Sequence, residues 1–343
     1  MKLWALEYLL CPETGSPVEL RDAVCEDGEV MAGSLRGASG REYPIRRGVP
    51  DLTLQPVSSA EDQTVAAFGE EWDIFDYREG FVASRELFFT FFPVLQRDDF
   101  PGRVVLDAGC GNGRWLGRMA EMGSRRVIGM DYSCSVHNSW LNTRHLPNVT
   151  VVQGSILQPP LRPGVFDLIA SMGVIHHLDD PVRGMRELGT LLRPQGKIAV
   201  WLYGQEGNEL YLSMVRPLRK LCPHLPTKLL LLLSRMLAVP VWAHAHATNR
   251  WWGTRRDGTG RLPMAGYFDF LSNLTFDDVV STVYDQLTPQ LARYYRRDEV
   301  DALFADARLT LTACDTPRGN SYSVAGTRAI SGAKSECCGR KVA

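Results

Sequence analysis

The sequence has no surplus of either charge sign: 38 Lys and Arg stand against 39 Asp and Glu in 343 residues, a net charge of −1. A protein whose whole surface tracks nucleic acid needs a clear excess of Lys and Arg, so that class is excluded and only a local basic patch is left open. Long apolar runs are scarce too. The longest, Leu229 to Ala243, is broken by Arg235 and Pro240. It falls short of the roughly 20 residues of a bilayer crossing, so it reads as a core or lid helix and no membrane span is expected. Met1 to Leu10 lacks the basic segment and sustained apolar run of a secretory signal. Cysteine follows no pairing pattern: Cys11, Cys25, Cys110, Cys134, Cys222, Cys314, Cys337 and Cys338 are scattered. Reduced thiols and a cytoplasmic location are the expectation.

What is present divides the chain. Residues 1–55 are Gly-rich with short alternating runs at Pro17 to Arg21 and Val30 to Leu35, which predicts a small β-rich module. Residues 56–100 predict a helical segment, in which Leu87, Phe88, Phe91, Phe92 and Leu95 recur at helical spacing and present an aromatic face. Residues 101–204 alternate short β-branched runs with amphipathic helices, the pattern of parallel strands joined by crossovers. The strands read as 104–109, 127–131, 148–154, 166–171 and 198–203. Between the last two, Asp180 and Pro181 predict a helix start and Pro194 with Gly196 its stop. Residues 205–290 break the alternation and predict a helical lid or substrate insertion. Residues 291–330 resume the core with a helix and a terminal β-hairpin, and 331–343 form a small, polar tail expected to be disordered. The fold class is therefore α/β: a doubly wound, Rossmann-like, seven-stranded sheet with a β-rich N-terminal module and a helical lid.

In such a sheet, ligands bind beyond the carboxyl ends of the strands, where the strand order reverses. The first strand-end loop is Asp107-Ala-Gly109-Cys110-Gly111-Asn-Gly113, in which glycine permits a tight turn and close backbone approach. Asp131 ends the next strand, where a carboxylate can accept hydrogen bonds from both hydroxyls of an adenosine ribose. The pair points to a nucleoside cofactor.

The spelling narrows the choice. VVLDAGCGNGRW followed by VIGMDYS resembles the first two motifs of class I S-adenosylmethionine-dependent methyltransferases, and the likeness continues through VTVVQGSI, FDLIASMGVIHHLDDP and ELGTLLRPQGKIAVWLYG. The resemblance implies S-adenosylmethionine as cofactor, with Gly109, Cys110, Gly111 and Gly113 at its methionine end and Asp107 organising that loop. It implies Asp131 on the ribose and Tyr132 and Ile156 against the adenine, with Gly154, Ser155 and Ser171 completing the site. Many relatives have Asp where Ser155 stands, which implies a weaker adenine anchor. FGEEWDIFDY resembles a segment that folds over the cofactor in small-molecule methyltransferases, making Trp72, Phe75 and Tyr77 candidates for the roof.

Methyl transfer from a sulfonium needs chiefly an aligned acceptor and exclusion of water, with a base only where the acceptor is protonated. His176 and His177 follow the fourth strand and are candidate bases or orienting donors, while the more ordinary reading of such a pair is loop packing. Tyr294 and Tyr295 lie in a stretch resembling a substrate-proximal turn and helix, and Tyr295 is the third candidate for catalysis. The fourth strand lacks the Asn/Asp-Pro-Pro-aromatic turn that grips the exocyclic nitrogen of a base. Between Ser213 and Leu262 the insertion carries Arg216, Arg219, Lys220, Lys228, Arg235, Arg250, Arg255, Arg256 and Arg261 against Asp257 alone. This bias favours an anionic acceptor, an anionic surface or RNA, and is equally that of a solvated helix. His244 and His246 beside Trp242, Trp251 and Trp252 lack a third metal ligand and read as packing residues.

The N-terminal LLCPETGSPVEL with REYPIRRGVPDL resembles a small zinc-ribbon-like family that activates tRNA and protein methyltransferases. The Cys-x-x-Cys pairs of its metal-binding members are missing here, so no structural zinc is expected. The leading expectation is methylation of a small, biosynthetic, anionic molecule. The rival is methylation of the tRNA wobble uridine, since GCGNGRW and VIHHLDDP also resemble that group. A cofactor-binding protein without transfer activity is a third reading, and arsenic methylation, suggested by Cys337-Cys338, a fourth. Oligomeric state is not fixed by the sequence.

Overall fold

The computed structural model describes residues 1–54, 69–71, 74–75, 84–252, 264–289 and 291–328, and every structural statement below concerns these. Trp72, Tyr77, Arg255, Arg256, Asp257, Arg261, Cys337, Cys338 and the tail lie outside the described residues, as do the side chains of Arg250, Trp251 and Trp252.

Four short strands open the chain: β1 (Glu19–Glu26), β2 (Glu29–Arg36), β3 (Glu42–Arg46) and β4 (Val49–Pro50), paired antiparallel in that order. After them comes α1 (Arg85–Phe91), capped by the Ser84 hydroxyl, which accepts from the Leu87 amide at 3.1 Å. Its buried Phe88 packs on Phe92, Phe100 and Trp115 with ring centroids 5.4 to 5.9 Å apart. A fully buried Phe contributes roughly 1.5–3 kcal/mol, so this cluster anchors α1 on the sheet.

The central sheet holds β5 (Val104–Ala108), β6 (Arg126–Asp131), β7 (Val149–Gln153), β8 (Phe166–Met172), β9 (Leu192–Tyr203), β10 (Leu309–Asp315) and β11 (Ser321–Arg328). Their spatial order is β10-β11-β9-β8-β5-β6-β7. β5 pairs parallel with both β6 and β8, so the order reverses beside β5 and opens a crevice at its carboxyl end. β11 runs antiparallel between β9 and β10. All five residues of β5 are buried, as continuous apolar strands covered on both faces must be. The crossovers are α2 (Arg114–Glu121), α3 (Val136–Thr143) and α4 (Pro181–Leu191). The Asp180 side chain caps α4 by accepting from the Arg183 amide at 2.9 Å.

β9 begins at Leu192, six residues before the start expected at Ile198. The Pro194–Gly196 turn is a bulge inside the strand: Gln195 has φ +64, and a Cβ on Gly196 would lie 2.9 Å from the Phe166 carbonyl. Leu192 already pairs with Phe166 of β8 and pairing resumes at Lys197, so the expected turn lies inside the strand rather than before it.

Beyond β9 come α5 (Glu209–Leu221), α6 (Thr227–Trp252), α7 (Ala265–Leu271) and α8 (Phe276–Leu287), then α9 (Arg297–Asp306) returns to the sheet. Thr275 and Asp278 form a reciprocal capping box at the start of α8. α6 buries Leu230, Ser234, Ala238 and Ala245 and packs on α7 and α8. Its Thr227–Ala247 portion is long and apolar enough to cross a membrane by length and composition, with 22% of it buried in this fold.

The N-terminal module shares a hydrophobic core with the large sheet, where Leu35, Tyr43 and Leu52 join Met130, Val152 and Leu161. Asp51 bridges parallel to Gln153 beside β7, and the Leu52 amide donates to the Gln153 carbonyl at 2.9 Å. Inside the module the Cys11 thiol lies 3.3 Å from the Tyr43 hydroxyl, both buried.

Candidate active site

Asp107 lies next to last in β5 with its side chain buried, and its Oδ2 has no hydrogen-bond partner among the described residues. Burial, and then the charge of Asp131, push its carboxyl up to about 7, against the pull of Arg114. The loop that follows needs glycine for two reasons. Gly109, Gly111 and Gly113 have φ of +86°, +53° and +81°. A Cβ would lie 2.2 Å from Val174 Cγ2 at Gly109 and 2.4 Å from Ser139 Oγ at Gly113. The Gly109 and Cys110 amides donate to the Met130 carbonyl at 2.7 and 3.1 Å, fixing the loop over β6.

Asp131 ends β6 half-exposed. Its Oδ2 accepts from the Gly111 amide at 2.8 Å, and its Oδ1 from the Ser133 amide and hydroxyl at 2.9 and 2.7 Å. The carboxylate thus braces the glycine loop while keeping an open edge. Around it lie half-buried Tyr132, buried Ile156 and Gly154, whose amide donates to the Asp131 carbonyl at 2.9 Å. The Ser155 hydroxyl accepts from the Leu157 amide at 3.1 Å.

Two residues of the expected cofactor set point elsewhere. The Ser171 side chain is buried and donates to the Ala108 carbonyl at 2.8 Å, tying β8 to β5. Cys110 is buried with its sulfur 3.8 Å from Ser139 Oγ, so only its backbone is turned to the crevice loop.

A cavity of about 230 Å³ lies between the sheet and the lid helices. Arg114 and Gly173, on the sheet side, line it together with Tyr211, Tyr267, Asp285 and Tyr294 of the lid and following loop. Its walls are strongly aromatic. Tyr203 stacks on Tyr294 at 5.1 Å, and Trp201 meets Phe91 and Tyr203 edge-on at 5.2 and 5.4 Å.

The polar heart of this cavity is Asp285. Its Oδ2 accepts from Gln286 Nε2 at 3.2 Å and from the Tyr203 hydroxyl at 3.5 Å. Gln286 is held in turn by the Tyr211 hydroxyl and by Arg219, whose Nε donates to the Gln286 carbonyl at 2.6 Å. Burial raises the Asp285 carboxyl to about 6, outweighing Arg219 and these hydrogen bonds. Arg114, which directly follows Gly113, lines this cavity together with Asp285, which sets the lid carboxylate close to the glycine loop.

The structure does not bring the expected catalytic trio to this cavity. His176 is fully buried, its ring 4.0 Å from that of Tyr203, and neither ring nitrogen has a partner among the described residues. His177 is buried against the Leu291 carbonyl. Burial lowers both imidazoles, His177 to about 4, so both stay neutral. Tyr295 sits in the sheet core, its amide donating to the Tyr203 carbonyl at 2.9 Å, while its neighbour Tyr294 faces the cavity. Alternation along an extended segment sends adjacent residues to opposite sides.

Asp285, Tyr203, Gln286 and Trp201 were not singled out by sequence. The available signal was a carboxylate set between Tyr284 and Leu287, which α8 buries. Of the insertion's basic residues, Arg219 is turned inward, while Arg216, Lys220, Lys228 and Arg235 are exposed, the last pairing with Asp277 at 3.5 Å. His244 and His246 pack on Phe268 and Trp242 at 4.5 and 4.1 Å. Among the described residues no group of His, Cys, Asp and Glu could hold a metal.

Residues 106–200 match the family model described as a methyltransferase domain. The chain is 34% identical over 128 residues to a tRNA U34 carboxymethyltransferase from Idiomarina loihiensis, covering 34% of this chain and 38% of the relative. It is 37% identical over 110 residues to a protein of the same name from Methylococcus capsulatus, covering 31% and 34%. The chain therefore spans between a third and two fifths of the length of these relatives. Among solved structures it is similar to a 1,6-didemethyltoxoflavin-N1-methyltransferase from Burkholderia thailandensis. That match has 17% identity and a TM-score of 0.45, covering 82% of this chain and 96% of the other.

Proposed function

We propose that this chain, whose residues 106–200 match a methyltransferase domain, is a class I S-adenosylmethionine-dependent methyltransferase that methylates a small planar molecule held in the aromatic cavity under the lid. The observation that carries the reading is the adjacency of two sites. A glycine-rich cradle, carrying a bare buried carboxylate oxygen on Asp107, opens beside a cavity built around a second carboxylate, Asp285. The first fits the cofactor. Asp107 would face its cationic methionine end, the Gly109–Gly113 backbone would line that end, Asp131 would take the ribose, and Tyr132 and Ile156 would flank the adenine.

When bound, S-adenosylmethionine supplies an activated methyl on a sulfonium whose leaving group is a neutral thioether. The protein's own part is positional. Trp201, Tyr203 and Tyr294 hold the acceptor's face, and the lid helices exclude water from it. Asp285 takes the proton from the acceptor's O–H or N–H as its lone pair forms the new bond, and a carboxyl near 6 is ionised and ready at neutral pH. Tyr203 and Gln286 orient that carboxylate.

Calorimetry with S-adenosylhomocysteine tests the cofactor half. Incubation of extracts with methyl-labelled S-adenosylmethionine, followed by mass spectrometry for one added methylene mass, tests the acceptor half. No binding of either cofactor form would overturn the reading. A second reading, methylation of a tRNA wobble uridine, has the names of the two relatives in its favour. It predicts salt-sensitive retention of tRNA by the full chain, which a small-molecule enzyme would not show. Action in the cytoplasm is part of both proposals.

A further inference from the structure

The cavity wall carries a cation that nothing above uses. Arg318 lies in the corner of two phenyl rings that meet edge to face, its guanidinium 3.8 Å from the Phe270 ring centre and 4.5 Å from that of Phe91. A guanidinium forms hydrogen bonds only through its in-plane N–H edge. On that edge Nε and Nη2 are shielded from solvent and have no partner among the described residues, and no ion pair of Arg318 is found there. Burial lowers the guanidinium to about 10, the sign of a charge held without compensation.

The side chain is fixed rather than adventitious. Arg318 has φ +61°, a left-handed conformation that a non-glycine residue keeps only where its surroundings impose it. The loop is clamped on both sides. Ser321 Oγ donates to the Pro317 carbonyl at 2.9 Å, and Asn208 Nδ2 donates to the Asn320 carbonyl at 2.7 Å. A Cβ on Gly207 would lie 2.2 Å from the Gly319 carbonyl oxygen, so β9's following turn is packed against the same loop.

A buried, unpaired guanidinium is costly, and a rigid planar fork is the match for a carboxylate or phosphate. Asp285 lines the same cavity as Arg114 at the glycine loop, whereas Arg318 packs under α7. We propose that Arg318 reads an anionic group on the end of the acceptor that does not react, so that the acceptor is an aromatic acid whose O–H or N–H is presented to Asp285. This inference rests on the small-molecule reading above.

Its test uses the full chain saturated with S-adenosylhomocysteine, and calorimetric titration of 4-hydroxybenzoate, 4-aminobenzoate, phenyl phosphate and the neutral 4-hydroxybenzamide. The acids are expected to bind and the amide not to. R318Q is expected to weaken the acids by roughly 10- to 100-fold, the worth of a charge-assisted hydrogen bond. R318K, with charge but no fork, should fall between. S-adenosylhomocysteine affinity should be unchanged in both variants, which also reports that they are folded. Preference for phenyl phosphate over the benzoates would assign the anion to phosphate rather than carboxylate, within the proposal. Equal binding of acid and amide, no binding of any acid, or acid affinity indifferent to R318Q would overturn it. Loss of S-adenosylhomocysteine binding by the parent protein would instead sink the cofactor reading.

Discussion

The carboxylate of Asp131 accepts a hydrogen bond from the Gly111 amide at 2.8 Å, so the second strand's terminal acid buttresses the first strand's glycine loop. The same group that would receive ribose hydroxyls holds the methionine loop in shape. Asp131→Ala should therefore do more than remove a ribose contact. We expect S-adenosylhomocysteine affinity to fall by about 100-fold or more and stability by about 1–3 kcal/mol, since the Gly111 and Ser133 amides lose their acceptor. Calorimetry and urea unfolding measure the two effects separately. Unchanged affinity would remove Asp131 from the cofactor site.

Gly109→Ala should be destabilising, because the new methyl would meet Val174 Cγ2 at 2.2 Å in a backbone of φ +86°. Overpacking of this kind costs about 1–3 kcal/mol, with left-handed strain added. The double variant with Val174→Ala should recover the packing part and leave the strain. Urea midpoints of the two single variants and the double one give the partition.

Cofactor affinity should rise with pH. The Asp107 carboxyl is raised to about 7, so below that pH it is mostly neutral and offers a cationic ligand no charge. Binding of S-adenosylhomocysteine, whose ammonium would face it, should strengthen as pH increases from about 6 to about 8, and Asp107→Asn should flatten the dependence. The sign for stability is the reverse. A raised acid is stabilising when protonated, so its contribution is lost as pH climbs through about 7 and the apoprotein weakens there.

With S-adenosylmethionine saturating at every pH, so that Asp107 does not enter, turnover should show one ionisation near pH 6, belonging to Asp285. As a base it must be deprotonated, so kcat/KM rises through that pH and then levels. Asp285→Asn should lower kcat by about 100-fold or more and abolish the acid limb, within the usual range for loss of a general base. A pH–rate profile on any identified acceptor decides it; an intact limb in the variant would assign the ionisation to another group.

The buried histidine pair should prove structural. His176 packs tilted against Tyr203 with both ring nitrogens unpartnered among the described residues, so His176→Phe removes unsatisfied polar atoms and keeps the ring. We expect unchanged or greater thermal stability and kcat within a few fold. A loss of about 100-fold in kcat without a shift in Tm would restore a catalytic role. His177, lowered to about 4, is neutral when folded; its contribution is full above about pH 6.5 and is lost as pH falls toward 4.

Much of the sheet could be read in the sequence because its signals are local. β-branched runs, a glycine turn and the Asp180-Pro181 helix start each fix their own neighbourhood, and each strand of the core lies within a few residues of its reading except β9. That strand starts earlier because Leu192 pairs with Phe166 of β8, a contact between strands that no local pattern encodes. The acceptor side was less legible. HH is a conspicuous doublet, yet its rings point under Tyr203, and Tyr295 rather than Tyr294 turns into the core. Asp285 and Arg318, 33 positions apart, carry no shared motif.

The residues alone determined the strand–loop–helix of the glycine turn and the acid ending the next strand, since backbone freedom at Gly109, Gly111 and Gly113 and the position of Asp131 are properties of short segments. Tertiary structure alone decided which charged groups enter the cavity. A lid helix, a loop before β11 and the ends of β8 and β9 converge there, and burial rather than spelling leaves Arg318 unpaired and raises Asp285. Local sequence specifies a backbone conformation; the electrostatic state of a side chain depends on everything packed around it.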